Sequence, residues 1–262
     1  MKQRILTAVI AAAAFLPVVL YGGWPFIILA YLMAIIGLTE ALKMKKIAPA
    51  SMPGLLSIIL LCIVLMPERL TVAIEQMGYD KLQLSALFVL LMLAYTVVSK
   101  NKFHFEDAGF CVLAALYVGF GFYYFIETRE AGAIFVFFAL LITWATDSGA
   151  YFVGRSLGKR KLWPEISPNK TVEGSVGGIF AAVIVALIIA LLADMDIPLF
   201  KLLIATAVLS VFGQLGDLAE SALKRHYEVK DSGTLLPGHG GILDRTDSWL
   251  FVFPLVHLLH LV

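Results

Sequence analysis

GQLGDLAESALKRHYEVKDSGTLLPGHGGILDRTDSW, residues 213–249, gathers Asp217, Glu220, Glu228, Asp231, Asp244 and Asp247 with Lys224, Arg225, Lys230 and Arg245. The chain around it is 60% hydrophobic and only 15% charged. So dense a cluster of charge at the edge of apolar runs is where chemistry is to be sought. If the helix entering from Leu199 continues past Gly216, then Asp217, Glu220, Ser221 and Lys224 fall at i, i+3, i+4 and i+7 and line one face. Asp244 and Asp247 repeat the i, i+3 spacing just before the apolar run that starts at Trp249. Between the two pairs sits Pro237-Gly238-His239-Gly240-Gly241, whose glycines remove bulk and permit left-handed torsions where a ligand needs close approach. Gathered carboxylates suit a hard cation, and Mg²⁺ is usually held by one or two such groups together with substrate phosphates. A plainer reading makes Asp247 and Ser248 a helix cap and pairs Asp217 and Glu220 with Lys224 and Arg225. Capping accounts for one acid and leaves the acid pair on the other helix face unexplained.

Outward from this stretch, the composition sets the class. A length of 262 residues allows one or two soluble domains, but a mean hydropathy of +0.90 overrides that expectation. Apolar runs long enough to cross a bilayer, or nearly so, recur along the chain, as in a lipid-embedded protein. The net charge of +1 carries no message about nucleic acid, and no basic-aromatic pattern suggests it. Cys62 and Cys111 both lie inside apolar runs, which excludes a disulfide framework and a metal-thiolate pattern. Lys2 and Arg4 precede an apolar run in the manner of a signal peptide, yet no small-x-small cleavage site follows, so an uncleaved first span is expected.

Nine spans are expected, at 5–20, 24–42, 53–66, 82–98, 108–126, 131–153, 176–193, 199–218 and 248–262. The third and ninth are short for a hydrocarbon core of about 30 Å. All are helical, because a lipid-facing backbone must satisfy its own hydrogen bonds and the runs lack barrel-strand alternation. The fold class is therefore an all-α, polytopic membrane protein of about nine transmembrane helices. With the N-terminus inside, sixteen of the twenty Lys and Arg residues fall on inner segments and four on outer ones, which predicts N-in and C-out. Residues 1–130 are expected to be a lipid-facing scaffold, and 131–262 to carry a cytoplasm-facing site.

The first four spans carry little chemistry. Glu40, near the inner end of the second, is a site candidate but reads as snorkelling beside Lys43 and Lys45. Span six differs, because Asp147 lies near its cytoplasmic end with Trp144 and Tyr151 on the same helical face. An acid at that depth is costly unless it meets a polar cavity or a partner, for which Arg155 two turns on is the structural alternative. The loop after it contains Ile166-Ser167-Pro168-Asn169-Lys170-Thr171-Val172-Glu173-Gly174, and its lysine, hydroxyls and glycine suit phosphate contact. In the nine-span reading Asp147, Lys170, Glu173, Asp217, Glu220, Asp244 and Asp247 all reach one membrane level from the ends of four spans, as a single site requires. A GxxxxGK[ST] phosphate loop, an HExxH zinc helix and a GxSxG elbow are all missing from the sequence. His257 and His260, with no acid or cysteine beside them, read as packing or interfacial residues.

The run Ser221-Ala222-Leu223-Lys224-Arg225, four residues, Lys230-Asp231-Ser232-Gly233, then Pro237-Gly238-His239-Gly240-Gly241-Ile242-Leu243-Asp244-Arg245-Thr246-Asp247 resembles the complete signature of the bacterial phosphatidate cytidylyltransferases, the CDP-diacylglycerol synthases. The segments at 167–174 and 216–221 are also similar to family segments, and length and span count fit over essentially the whole chain. The resemblance implies transfer of a cytidylyl group from CTP to phosphatidate in a chamber open to cytoplasm and inner leaflet, in the inner membrane of a bacterial cell. It implies a paired-metal centre, with Mg²⁺ as the cofactor, on Asp217, Asp244 and Asp247, with Lys170 and Glu173 alongside them in catalysis. Lys224 and Arg225 would hold phosphates, and Glu220, Lys230, His239, Arg245 and Asp147 would complete the binding set. CTP, phosphatidate and membrane lipid are the expected partners, nucleic acid is not, and a homo-oligomer is left open. A secondary transporter is the rival from another class, but it tends to place its acids at the midplane among internal repeats. A phosphotransferase using CDP-linked lipid is a second rival, and the chain lacks its DG-rich motif of acids spaced by fours.

Overall fold

The computed structural model of the chain describes residues 2–193 and 195–262, with the side chains of 2–6 and 8 outside the described set. Lys2 and Arg4, two members of the basic asymmetry, therefore lie outside the described side chains. The chain divides into two compact units, Met1–Glu127 with Asp231–Leu243, and Thr128–Lys230 with Asp244–Val262.

In the first unit α1 (Lys2–Tyr21) turns into α2 (Gly23–Met44) through Gly22 and Gly23, at φ 70° and 57°. Nothing stands within 4 Å of a Cβ at Gly23, so the left-handed torsion and not crowding calls for glycine there. Ser51 caps α3 (Met52–Val64) by accepting from Gly54 N, and Pro53 suits the first turn, where its missing N–H costs nothing. The chain then bends by 100° into α4 (Glu68–Glu75). Pro67 stands at the break, lacks a donor and pushes Met66 out of helical torsions. Asp80 and Gln83 form a reciprocal capping box at the start of α5 (Lys81–Val98), and α6 (Phe105–Ala131) follows, counted to the first unit as far as Glu127. Phe26, Leu38, Leu42, Leu60, Leu61, Met92, Phe122 and Phe125 are buried to within 1–2% and make this unit's core.

The second unit holds α7 (Ala133–Leu157), a hairpin of β1 (Lys161–Trp163) and β2 (Ser167–Thr171), α8 (Val172–Leu192), α9 (Leu199–His226) and α11 (Trp249–Leu258). The four-residue α10 (Leu243–Thr246) begins at the last residue of the first unit and continues in the second. The two strands are antiparallel, with Lys161 opposite Thr171 and Trp163 opposite Ser167. This hairpin is a small departure from the expected irregular loop, and it fits the local sequence, since Pro168 is tolerated on an edge strand.

Most of the expected apolar segments are helices, and the described residues do not by themselves account for all nine expected crossings. Among the described residues six helices, α2, α5, α6, α7, α8 and α9, are long and apolar enough, and the bent pair α3–α4 makes at most a seventh. The described apolar part of α1, Val9–Tyr21, is shorter than a span. Helix α11 has ten residues with Pro254 inside it, which at 1.5 Å per residue reaches only about half of a 30 Å core. The outward surfaces match lipid and not water. On α5 only Met92 is buried, while Leu82, Leu90, Val97 and Val98 are open. On α8 Phe180, Ile184, Leu191 and Leu192 are equally open. The protein is an all-α, polytopic membrane protein.

Candidate active site

Small residues bring α7 and α8 backbone to backbone. A Cβ on Gly149 would stand 2.5 Å from the Ala181 Cβ and 2.9 Å from the Gly177 carbonyl oxygen. One on Gly178 would stand 2.7 Å from the Thr146 carbonyl oxygen, and one on Gly174 would stand 2.7 Å from that of Ala150. Approach this close is how membrane helices gain packing without large side chains. Helix α9 is tied to the same pair. Thr146 Oγ1 donates to Ser210 Oγ at 2.9 Å, and Gln214 Nε2 donates to the Ser175 carbonyl at 3.3 Å. Gly216 does for α9 and the link into α11 what Gly149 does for α7 and α8, since its Cβ would be 2.7 Å from the Asp247 carbonyl oxygen. Asp217, the next residue, is thereby placed against the Asp247 segment.

The result is a cavity of about 480 Å³ whose polar lining includes Asp147, Tyr151, Arg155, Asn169, Lys170, Gln214 and Asp217. Lys170 Nζ stands 2.5 Å from Asp217 Oδ2, and Ser221 Oγ donates to Asp217 Oδ1 at 3.3 Å. Arg155 donates to the Tyr151 hydroxyl at 3.2 Å. Arg155 is thus engaged on its own helix, and Asp147 instead feels Asp217, Lys170 and Arg245.

A second cluster is built on the last turns of α9. Lys224 Nζ lies between Glu220 Oε2 at 2.5 Å and Asp244 Oδ1 at 2.7 Å. Glu220 is 1% exposed, and its Oε1 has no hydrogen-bond partner among the described residues. Asp247 Oδ1 accepts from Ser248 N at 2.7 Å. Burial first, then the charges of Asp217 and Asp147, push the Asp247 carboxyl up to about 7. Ser248, the residue before α11, makes no side-chain cap, so the capping reading of Asp247 and Ser248 leaves most of that pair's placement unexplained.

Not every residue singled out in the sequence joins these clusters. Glu173 accepts from the backbone N–H groups of Lys159 and Arg160 at 3.0 and 3.2 Å, which ties the first turn of α8 to the base of the hairpin. Arg225 Nε donates to the Ile166 carbonyl at 3.3 Å and steadies the same hairpin from α9. Lys230 and Arg245 are exposed. His239 lies in the Asp231–Leu243 segment of the first unit, where its Nδ1 is buried without a hydrogen-bond partner among the described residues. Of the plainer pairings, Glu220 with Lys224 is real, whereas Asp217 turns to Lys170.

Two residues count for more here than in the sequence. Gln214 lines the cavity, and its signal was present, because it continues the Asp217, Ser221, Lys224 face by one step of three. Glu40 does not snorkel beside Lys43 and Lys45. It is 5% exposed and turned inward onto the Asp231–Leu243 segment, while Lys45 pairs with Asp107 at 2.9 Å.

Among the described residues no three His, Cys, Asp or Glu side chains stand close enough to hold a metal by themselves. The donors present, carboxylates with a buried Glu220 Oε1 that has no hydrogen-bond partner among the described residues, fit a hard cation that shares its remaining positions with substrate phosphates.

The chain matches the Cytidylyltransferase family over residues 2–262. A Bacillus subtilis (strain 168) protein named phosphatidate cytidylyltransferase is 56% identical over 262 residues, covering 99% of this chain and 97% of the relative. Proteins of that name from Staphylococcus saprophyticus and Staphylococcus aureus (strain COL) are 51% and 49% identical, each over 99% of this chain and 98% of the relative.

Proposed function

Because the chain belongs to the cytidylyltransferase family, we propose that it transfers the cytidylyl group of CTP to phosphatidate, with the site facing the cytoplasm from a bacterial cell membrane. The observation that carries this reading is the pairing of lysines with carboxylates: Lys170 with Asp217 in the lining of the cavity, and Lys224 with Glu220 and Asp244 in the cluster on the last turns of α9. Such pairs keep both signs of charge ready. The ammonium groups can turn to phosphate oxygens, and the freed carboxylates can then hold a cation.

In the reaction an oxygen of the phosphatidate monoester attacks the α-phosphorus of CTP. One P–O bond forms to that oxygen, and the bond to the β-phosphate oxygen breaks. Its electron pair leaves with pyrophosphate, and CDP-diacylglycerol remains. No general base is needed, since a phosphate monoester already carries anionic oxygens near neutral pH. The obstacle is charge, because nucleophile, electrophile and leaving group are all anionic. Lys170 and Lys224 bind and orient phosphates, which offsets part of that repulsion and holds the reacting atoms in line. Asp217, Asp244 and Asp247 would hold divalent cation, Mg²⁺ in this reading, with Glu220 close by. Bound there, the cation supplies positive charge against the phosphates and the departing pyrophosphate. The Asp147 side of the cavity, with Tyr151, Asn169 and Gln214, offers polar contacts for the rest of the nucleotide.

The test is a purified-protein assay in detergent with labelled CTP, phosphatidate and a divalent cation. CDP-diacylglycerol and pyrophosphate should appear in equal amounts and only when all three are present. Equal turnover with ATP or GTP would reduce the reading to a general nucleotidyltransferase.

A further inference from the structure

Glu40 ends up in a position that a surface acid would never occupy. It lies in the last two turns of α2, and its carboxylate is enclosed by a segment about two hundred residues further along the chain. Ile242 N donates to Oε1 at 3.0 Å, Leu243 N donates to Oε2 at 2.9 Å, and Ser232 Oγ donates to Oε2 at 3.2 Å. Gly233 and Gly241 press against the same carboxylate so closely that a Cβ on either would collide with it. Removing a carboxylate from water is costly unless its oxygens are bonded, and here two backbone N–H groups and a hydroxyl do so.

The contacts fall at the two ends of one loop. Ser232 and Gly233 open it, and Gly241, Ile242 and Leu243 close it. Its middle is built for reversal and not for stiffness, with Gly238 and Gly240 at φ 77° and 86° and a single bridge between Leu236 and Gly240. A loop so rich in glycine has much conformational freedom to lose, and one carboxylate fixes both its ends. Leu243, one of the residues held, is bonded directly to Asp244.

We propose that Glu40 is a positioning residue for cytidylyl transfer, clamping both ends of the loop at residues 232–243 so that the chain enters Asp244 and Asp247 in one fixed path. This rests on the reading of Asp244 and Asp247 as working groups of the site. It also gives a reason for the glycines of the PGHGG run besides ligand approach, since Gly241 makes room for the clamp.

The test compares the full-length Glu40→Gln and Glu40→Asp variants with the parent protein in detergent. Glutamine keeps the size but presents an NH₂ to a backbone N–H, whereas aspartate keeps both oxygens on a shorter stem. Hydrogen exchange over 232–243, the folded fraction, and kcat and KM for CTP per folded molecule are measured. Glu40→Gln should speed exchange at Ile242 and Leu243 and lower kcat by about tenfold or more, with KM for CTP within about threefold. Glu40→Asp should recover part of both. Should Glu40→Gln fail to fold, Ser232→Ala removes a single donor and should show the same changes at smaller size. Unchanged kcat per folded molecule, or unchanged exchange in the loop, overturns the clamp while leaving the site reading intact. Parent-like activity in Asp244→Asn overturns the site reading, and the clamp's role in transfer with it.

Discussion

Lys170, the penultimate residue of a β-hairpin strand, meets Asp217 of α9 at 2.5 Å in the lining of a cavity. Neither side chain is buried enough to need the pair for solvation, at 26% and 30% exposure, and partly exposed pairs contribute little to stability, about 1 kcal/mol or less. The pair is better understood as two groups held ready for ligands of opposite charge. Lys170→Ala should therefore leave the melting temperature nearly unchanged and reduce kcat/KM by about 10- to 100-fold, with KM for CTP or phosphatidate raised. Parent-like kinetics in that variant would leave Lys170 with no task beyond the hairpin.

Much of this site was legible because helical spacing is a strong constraint. Asp217, Glu220, Ser221 and Lys224 were placed on one face by counting, and α9 runs to His226 and carries them as counted. Gly216 could be recognised as small but not as the contact for Asp247, because spacing within a segment says nothing of what packs on it. The hairpin at 161–171 was missed because five polar residues with a proline look like any loop until Lys161 is seen opposite Thr171. Glu40 was missed for a related reason. An acid near Lys43 and Lys45 has a sufficient local explanation, and its real donors are Ser232, Ile242 and Leu243. The number of crossings is less legible, because apolarity is unambiguous at the margins but length decides, as in the ten residues of α11.

That margin makes topology a direct test. The basic asymmetry predicts N-in and C-out, and an odd number of crossings is required to separate the termini. A reporter active only in the cytoplasm, fused after Val262, should give no signal. A strong signal there would show that the crossings are even in number, as the six long helices alone would give, and would reverse the expected side of the C-terminus.

Protonation of Asp247 offers a third test. Its folded-state pKa of about 7 lies above the unfolded carboxyl value of about 3.9. Between those values the folded state binds more protons than the unfolded one, so the contribution of this group to stability falls as pH rises and levels off above about 7. In chelator, raising the pH from 6 to 8 should therefore lower the melting temperature of the parent protein through this group. Mg²⁺ should raise the melting temperature more at pH 8, where the carboxylate is free to bind it, than at pH 6. Asp247→Asn should flatten both dependences, and an identical Mg²⁺ response at the two pH values in the parent would detach Asp247 from cation binding.

The sharpest separation of roles comes from Asp244→Asn and Asp247→Asn. Asparagine matches aspartate in size and is nearly its equal as a helix cap. If Asp247 served only the start of α11, the change would cost a few tenths of a kcal/mol and activity would survive. If it holds a hard cation with the phosphates, one charge is lost where all the reacting groups are anionic, and turnover should fall by about 100-fold or more. Asp244→Asn differs in one respect, because it also deprives Lys224 of a partner 2.7 Å away and leaves that ammonium with Glu220. It should thus disturb phosphate contact as well as cation holding, and its loss should be less relieved by added Mg²⁺ than that of Asp247→Asn. The measurement is CDP-diacylglycerol formation against Mg²⁺ concentration for each purified variant, with a melting curve to show that the fold persists. Near-parent rates in both folded variants would remove the carboxylates from the mechanism and leave Lys170 and Lys224 to carry the charge alone.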